Sequence, residues 1–136
     1  AKLPQFADKT LEVRGAGHAM ANPTEVRQVV LNLVVNALEA VQPGGGRVNI
    51  DIERHGSEVA LSVADNGRGM TPEALAQAFE PFFSDKPGER VPGTGLGLSI
   101  SHAIASAHGG RLVAHSDGPG RGSRFVLTLP AAEKPS

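Results

Sequence analysis

Apolar residues recur at spacings of three and four from Val26 to Val41 (Val26, Val29, Val30, Leu33, Val34, Ala37, Leu38, Val41), the period of a helix with one buried stripe. Asn22-Pro23-Thr24-Glu25 precedes the stripe and reads as its start, with Asn as N-cap, Pro at the first helical position and Glu at the third. The pattern stops before Pro43-Gly44-Gly45-Gly46. The period then changes to two: Val48-Asn49-Ile50-Asp51-Ile52-Glu53 and Val59-Ala60-Leu61-Ser62-Val63-Ala64 predict half-buried strands, joined as a hairpin through His55-Gly56-Ser57. Thr71-Pro72-Glu73 to Phe79 predicts a short helix. A second helical period (Leu96, Ile100, Ala103, Ile104, Ala107) stops at Gly109-Gly110, a C-terminal cap. Arg111 to His115 and Arg124 to Leu129 predict a last hairpin around Gly118-Pro119-Gly120-Arg121-Gly122. Leu11 to Arg14 predicts a short first strand, with a turn at Gly15-Ala16-Gly17. Strand pairs and helices in separate runs imply an α+β two-layer sandwich, with helices on one face of a mainly antiparallel sheet.

The 136 residues amount to one domain. Residues 1–8 read as a boundary remnant, 9–131 as the domain and 132–136 as a tail. A formal net charge of −1 gives no broad basic surface for nucleic acid or anionic membrane. The absence of cysteine excludes disulfides, thiolate metal sites and a cysteine nucleophile. No apolar run approaches a membrane span and no signal-peptide core is present, so the expectation is a soluble, cytoplasmic domain. With five Phe and no Trp or Tyr, the core must be mostly Val, Leu, Ile and Ala. The glycines and prolines cluster between residues 65 and 123, which suggests loops with a job.

Four stretches carry candidate chemistry. Val91-Pro92-Gly93-Thr94-Gly95-Leu96-Gly97 feeds a helix N-terminus, where free N–H groups and the helix dipole favour phosphate. It lacks the Gly-Lys-Ser/Thr of a P-loop and the spacing of a dinucleotide fold. Gln28, Asn32 and Asn36, four apart, share one helix face, and Asn36 at the edge of the apolar stripe can turn its amide oxygen toward a cation; a polar helix face is the plain alternative. Asp65-Asn66-Gly67-Arg68-Gly69 follows a buried strand, so the carboxylate can accept from an exocyclic amine such as adenine's, although Asp-Asn-Gly is also a good turn. Phe79-Glu80-Pro81-Phe82-Phe83 roots a loop, residues 84–92, of the length typical of lids. Lys86 and Arg90 within it can reach phosphate, and Ser123 can support a nearby base through water.

In order along the chain, these motifs resemble the boxes of the catalytic, ATP-binding domain of sensor histidine kinases, in the GHKL superfamily with gyrase, its chaperone relatives and mismatch-repair ATPases. Asn32-Leu33-Val34-Val35-Asn36-Ala37-Leu38-Glu39-Ala40 resembles the N box, Asp65 to Gly69 the G1 box, and Phe79 to Phe83 the F box. Gly93 to Gly97 resembles the G2 box, and Gly122-Ser123 the last glycine motif. The wording is most similar to the nitrogen-regulation and dicarboxylate-sensor branch. The resemblance implies a Bergerat fold: a mixed, mostly antiparallel sheet with about three helices on one face and an ATP lid. It implies ATP and Mg²⁺, with Asn36 on the metal and Asn32 on the phosphates or the metal's waters. Asp65 takes the adenine amine, and Gly67 and Gly69 admit the base. Gly93, Thr94, Gly95, Leu96 and Gly97 form the inner edge of the lid, and Ser123 stands where the family often has Thr.

Two departures matter. Many of these kinases carry Lys three residues after the metal-binding Asn; Glu39 stands there, so Lys86 is the candidate for the missing positive charge. The gyrase-like members place a glutamate base four residues before that Asn, where this chain has Asn32, and an amide cannot take a proton from water. The resemblance therefore implies slow hydrolysis and transfer of the γ-phosphate to a histidine. His18, His55, His102, His108 and His115 lack the context of a phosphoacceptor, and His102 and His108 read as solvent-facing. The acceptor is expected on separate dimerisation helices upstream of Ala1, with a response regulator downstream and a monomeric isolated domain. The competing readings are a hydrolytic GHKL ATPase, a serine/threonine kinase acting on a partner, and a non-catalytic docking module.

Overall fold

The computed structural model describes residues 10–15, 22–42, 44–80 and 97–131, the first of these as backbone. Among them the chain runs β1 (Thr10–Gly15), α1 (Pro23–Ala40), β2 (Arg47–His55), β3 (Glu58–Asp65), α2 (Pro72–Ala76), α3 (Gly97–Ala107), β4 (Arg111–His115) and β5 (Ser123–Pro130). One sheet has the order β1-β2-β3-β5-β4, parallel only between β1 and β2. The mixed, mostly antiparallel sandwich expected from the sequence is the fold observed.

α1 starts as its first residues dictate. Asn22 accepts from the N–H groups of Thr24 and Glu25 at 2.9 and 3.1 Å, and Pro23, with no N–H to satisfy, follows it. Val29, Leu33, Ala37 and Leu38 are buried, while Val41 ends the helix as its C-cap and stays in the core. α2 is shorter than the sequence suggests. Thr71 caps it through the Ala74 N–H, and beyond Ala76 the bonds tighten to three-residue spacing, so Phe79 lies past its end.

Alternation along the strands decides which residues meet α1 and α3. Ile50, Val63 and Phe125 form one row across three strands, and Ile52, Leu61 and Leu127 the next. These rows join Val29, Leu33, Ala37, Ala105 and Leu112 in a single core. Phe125 and Leu33 are wholly enclosed, so truncating Leu33 to Ala costs about 2–5 kcal/mol. The opposite sheet face bears Asp51, Glu53, Ser62 and Arg124, which line a depression of about 290 Å³.

α3 departs from expectation. Its buried residues are Ser101 and Ala105, with Leu98 and Ile104 packed partly against the core. Ile100, expected inside, is 46% exposed, and Ala103 and Ala107 also face outward. The phase is set by close approach to α1, which small residues permit and a longer side chain would prevent. The predicted cap at its end is a Schellman motif: Gly110 N–H donates to the Ala105 carbonyl at 2.9 Å and Gly109 N–H to Ser106 at 3.1 Å, with Gly109 at φ +75°. His108 is not solvent-facing as expected; it is half-buried, with both ring nitrogens bonded. His102 is exposed, but its ring lies 4.9 Å from that of Phe79, which in turn meets Phe125 edge-on at 6.2 Å.

Candidate nucleotide site

Asp65 continues the core-facing alternation of Val59, Leu61 and Val63 by one further step. Its neighbours across the sheet are Val48 on β2 and Ser123 on β5, so a carboxylate occupies the last rung of an apolar row. Oδ1 accepts from the Gly67 N–H at 2.8 Å. Oδ2 is buried and has no hydrogen-bond partner among the described residues, a condition that costs about 1–3 kcal/mol for a polar group and more for a charged one. Burial pushes the Asp65 carboxyl above its ordinary value, against the opposing pull of the Gly67 and Ser123 N–H groups and the Arg68 charge. A donor brought to Oδ2 would relieve both penalties.

The turn after Asp65 is held by main chain and small polar groups. Asn66 accepts from the Arg47 N–H at 2.7 Å and donates to the Gly45 carbonyl at 3.0 Å. Arg68 N–H donates to the Ala40 carbonyl at 3.0 Å, which ties the turn to the last residue of α1. The glycines have a reason that the sequence did not reveal. A Cβ on Gly67 would stand 2.3 Å from the Ala40 carbonyl oxygen, and one on Gly69, at φ +67°, would stand 2.2 Å from that of Gly118. Both are needed for the domain's own packing, whatever room they also leave for a base. Gly122 N–H donates to the Gly67 carbonyl at 3.1 Å, and its own Cβ position lies 2.1 Å from the Asp65 carbonyl oxygen. Ser116, which sequence reasoning missed, closes the arrangement: its Oγ accepts from Met70 N–H at 2.9 Å and donates to the Gly122 carbonyl at 2.8 Å.

At the other end lies Asn32. Its Nδ2 donates to the Gly97 carbonyl at 3.2 Å and to Ser101 Oγ at 3.1 Å, while its Oδ1 accepts from Gln28 Nε2 at 2.9 Å. Ser101, fully buried, donates in turn to the Gly97 carbonyl at 2.8 Å. Both amide hydrogens of Asn32 are thus spent on fastening α1 to the start of α3, and one oxygen lone pair on Gln28 within α1. Ser101 was also missed, whereas Gln28 stands on the polar helix face expected from the sequence. The signal for Ser101 was spacing: Ser101, Ala105 and His108 recur at four and three, a face of small and polar residues.

Asn36 sits midway. Positions 32, 36 and 40 follow one edge of α1, about 6 Å apart along the axis. Asn32 touches the start of α3 and Ala40 the Asp65 turn, so Asn36 lies between them, half-exposed, with no side-chain bond to any described residue. One helix edge therefore brings together Asn32, Asn36, Gly97 and the Asp65 turn, and β5 adds Ser123. Lys86, Gly93, Thr94, Gly95 and Leu96 lie outside the described residues, as do Phe82 and Phe83. A further depression of about 440 Å³ opens beside Ser123 and Asp117, and neither depression on the sheet's ends and open face reaches Asn32 or Asn36. No helix among the described residues is long and apolar enough to cross a membrane.

Comparison with known proteins gives the arrangement its context. The sequence profile of the histidine kinase-, DNA gyrase B- and HSP90-like ATPases matches residues 21–133. Sensor protein ChvG of Agrobacterium fabrum is 42% identical over 137 aligned positions, covering 96% of this chain and 23% of ChvG. The chain thus spans about a quarter of the length of this curated relative. Among solved structures, a mycobacterial sensor histidine kinase, MprB, superposes with a TM-score of 0.80 at 27% identity, covering 96% of this chain and 88% of that one. Full-length ShkA in complex with AMPPNP superposes with a TM-score of 0.78 at 28% identity, covering 98% of this chain and 28% of ShkA. By fold, motif order and sequence, the chain belongs to the family of histidine kinase-, DNA gyrase B- and HSP90-like ATPases.

Proposed function

We propose that this chain is the ATP-binding catalytic domain of a sensor histidine kinase, which donates the γ-phosphate of ATP to a histidine on separate dimerisation helices. The observation that carries this reading is Oδ2 of Asp65, buried and without a partner among the described residues at the end of an apolar row. The exocyclic amine of adenine supplies the missing donor, and Ser123, directly across the sheet, stands beside it. The crystallised ShkA complex with AMPPNP, a relative of matching fold, supports a nucleotide as the occupant.

From the base, the nucleotide runs along the edge of α1 past Asn36 toward the N-terminus of α3. Asn36, with its amide uncommitted among the described residues, would hold Mg²⁺ through its oxygen. This fits an ion that keeps waters and phosphate oxygens as its other ligands, and no cluster of three His, Cys, Asp or Glu side chains is assembled among the described residues. When bound, Mg²⁺ supplies charge neutralisation between the phosphates. Asn32 positions the start of α3; Gly93 to Gly97 and Lys86, all but Gly97 outside the described residues, are the sequence's candidates for contact with the phosphates. The acceptor imidazole then bonds to the γ-phosphorus as the bond to the β,γ-bridging oxygen breaks and ADP leaves with that electron pair. The chain's part is to align and to neutralise. A response regulator receives the phosphoryl group from the histidine.

The test combines this chain, γ-labelled ATP and the dimerisation helices of the parent kinase. The expected result is label on the helices, lost in acid and stable in base. Acid-stable label would move the reading to a serine/threonine kinase, and rapid release of inorganic phosphate without an acceptor would move it to a hydrolase.

A further inference from the structure

α1 and α3 run antiparallel and are fastened at two places. One is the Asn32 contact with Gly97 and Ser101. The other joins the opposite ends, where the Asn22 N–H donates to His108 Nε2 at 3.2 Å. The second ring nitrogen, Nδ1, lies 2.8 Å from the Ile104 carbonyl oxygen. These partners fit one neutral tautomer of the ring. A main-chain N–H can only donate, so Nε2 must carry a lone pair; a carbonyl can only accept, so Nδ1 must carry the proton. The other neutral tautomer would set donor against donor and acceptor against acceptor, and the imidazolium would lose the bond to Asn22.

The surroundings hold the ring in place. His108 is the residue between Ala107 and the Schellman glycine Gly109, so its backbone is fixed by the bonds that Gly109 and Gly110 make to the last turn. On the other side, the Asn22 side chain is already committed to Thr24 and Glu25, which leaves its own N–H for His108. Asn22 and Asn32 are about 15 Å apart along α1. With both ties in place α3 can neither slide along α1 nor swing away from it; with Asn32 alone, the start of α3 could pivot.

We propose that His108, as its Nδ1–H tautomer, is a positioning residue of the nucleotide site. It touches no ligand, and it holds α3 in register with α1 so that Gly97 stays beside Asn32. The tautomer stands on geometry alone, and its consequence for nucleotide binding rests on the function proposed above.

Imidazole ¹⁵N NMR of this chain at neutral pH tests the tautomer. Calorimetry with an ATP analogue on the wild type, His108→Ala and His108→Gln tests the consequence, since glutamine can accept from the Asn22 N–H through Oε1. The expected pattern is a protonated Nδ1 and a bare Nε2 on His108. His108→Ala should bind roughly threefold to tenfold more weakly, the worth of one neutral hydrogen bond, and His108→Gln should regain much of that loss. A ring protonated at Nε2 at neutral pH overturns the proposal, and so does a folded His108→Ala of unchanged affinity. Should His108→Ala fail to fold, the wild-type tautomer and His108→Gln decide, and a folded glutamine variant at least tenfold weaker than wild type overturns it. A wild type with the Nδ1–H signature that binds no nucleotide overturns the functional reading and the positioning role with it. A wild type that binds nucleotide with Nε2 protonated overturns the His108 assignment alone.

Discussion

At the Asp65 end of the α1 edge, the turn's main-chain bonds are made and a single carboxylate oxygen has no partner among the described residues. At the Asn32 end the reverse holds: the amide has three partners and one lone pair to spare. The first end is preorganised, so a ligand adds a bond and displaces nothing. The second satisfies itself, so a phosphate or a metal-bound water must compete with Gln28 or share Asn32. On the function proposed above, the lesson is a division of labour: recognition of the base would be built in, and recognition of the phosphates would come with rearrangement at the start of α3.

The hardest blow to this contrast is Asp65→Asn. Adenine-nucleotide affinity should fall at least about 100-fold, because a charge-assisted acceptor becomes an amide that meets the incoming amine with its own hydrogens. The nucleotide-free domain should at the same time gain about 1 kcal/mol, since an unpaired buried charge is gone. Calorimetry and thermal melts read the two effects, and a loss of both binding and stability would mean that Asp65 is structural. Next in size, Gly67→Ala and Gly69→Ala should each cost about 2–3 kcal/mol in urea unfolding, because backbone carbonyls stand where the methyl must go. Gly45→Ala, with open space around it, should change stability by less than about 0.5 kcal/mol.

Asn36→Ala should weaken Mg²⁺-dependent binding about tenfold and leave Mg²⁺-free binding nearly unchanged; equal losses would remove the metal role. The pH dependence has opposite signs for binding and folding. The folded pKa of Asp65 lies above its ordinary value of 3.8, so its contribution to stability is complete below that value and is lost as pH rises through the folded pKa. Nucleotide affinity should climb through the same window, up to about tenfold per pH unit, as the carboxylate forms, and Asp65→Asn should flatten both slopes. The smallest expected effect is the most specific to the contrast. Gln28→Ala frees Asn32 Oδ1 and should strengthen binding of Mg²⁺-triphosphate about twofold with no change for adenosine, whereas equal changes would erase the distinction between the two ends.

Much of this was legible in the chain because it is local. Asn22 caps the residues beside it, and the step of two from Val59 to Asp65 announces a carboxylate on a core-facing row. The phase of α3 was not legible: its apolar residues suggested one face, and the contact between Asn32 and Ser101, 69 residues apart, selected another. The sequence suggests Gly67 and Gly69 as room for a base, yet the atoms that require them belong to Ala40 and Gly118, which no local pattern connects to that turn. His108 escaped for the same reason, since its partner Asn22 lies 86 residues away.

The three close approaches at Gly67, Gly69 and Gly122 have one property in common: the atoms across from them are carbonyl oxygens of the main chain. A wall made of peptide groups looks the same whatever side chains hang from it. Ala40 can be exchanged for many other residues without moving the corner beside Asp65, so the surface around that corner is free to vary while the corner itself keeps its shape.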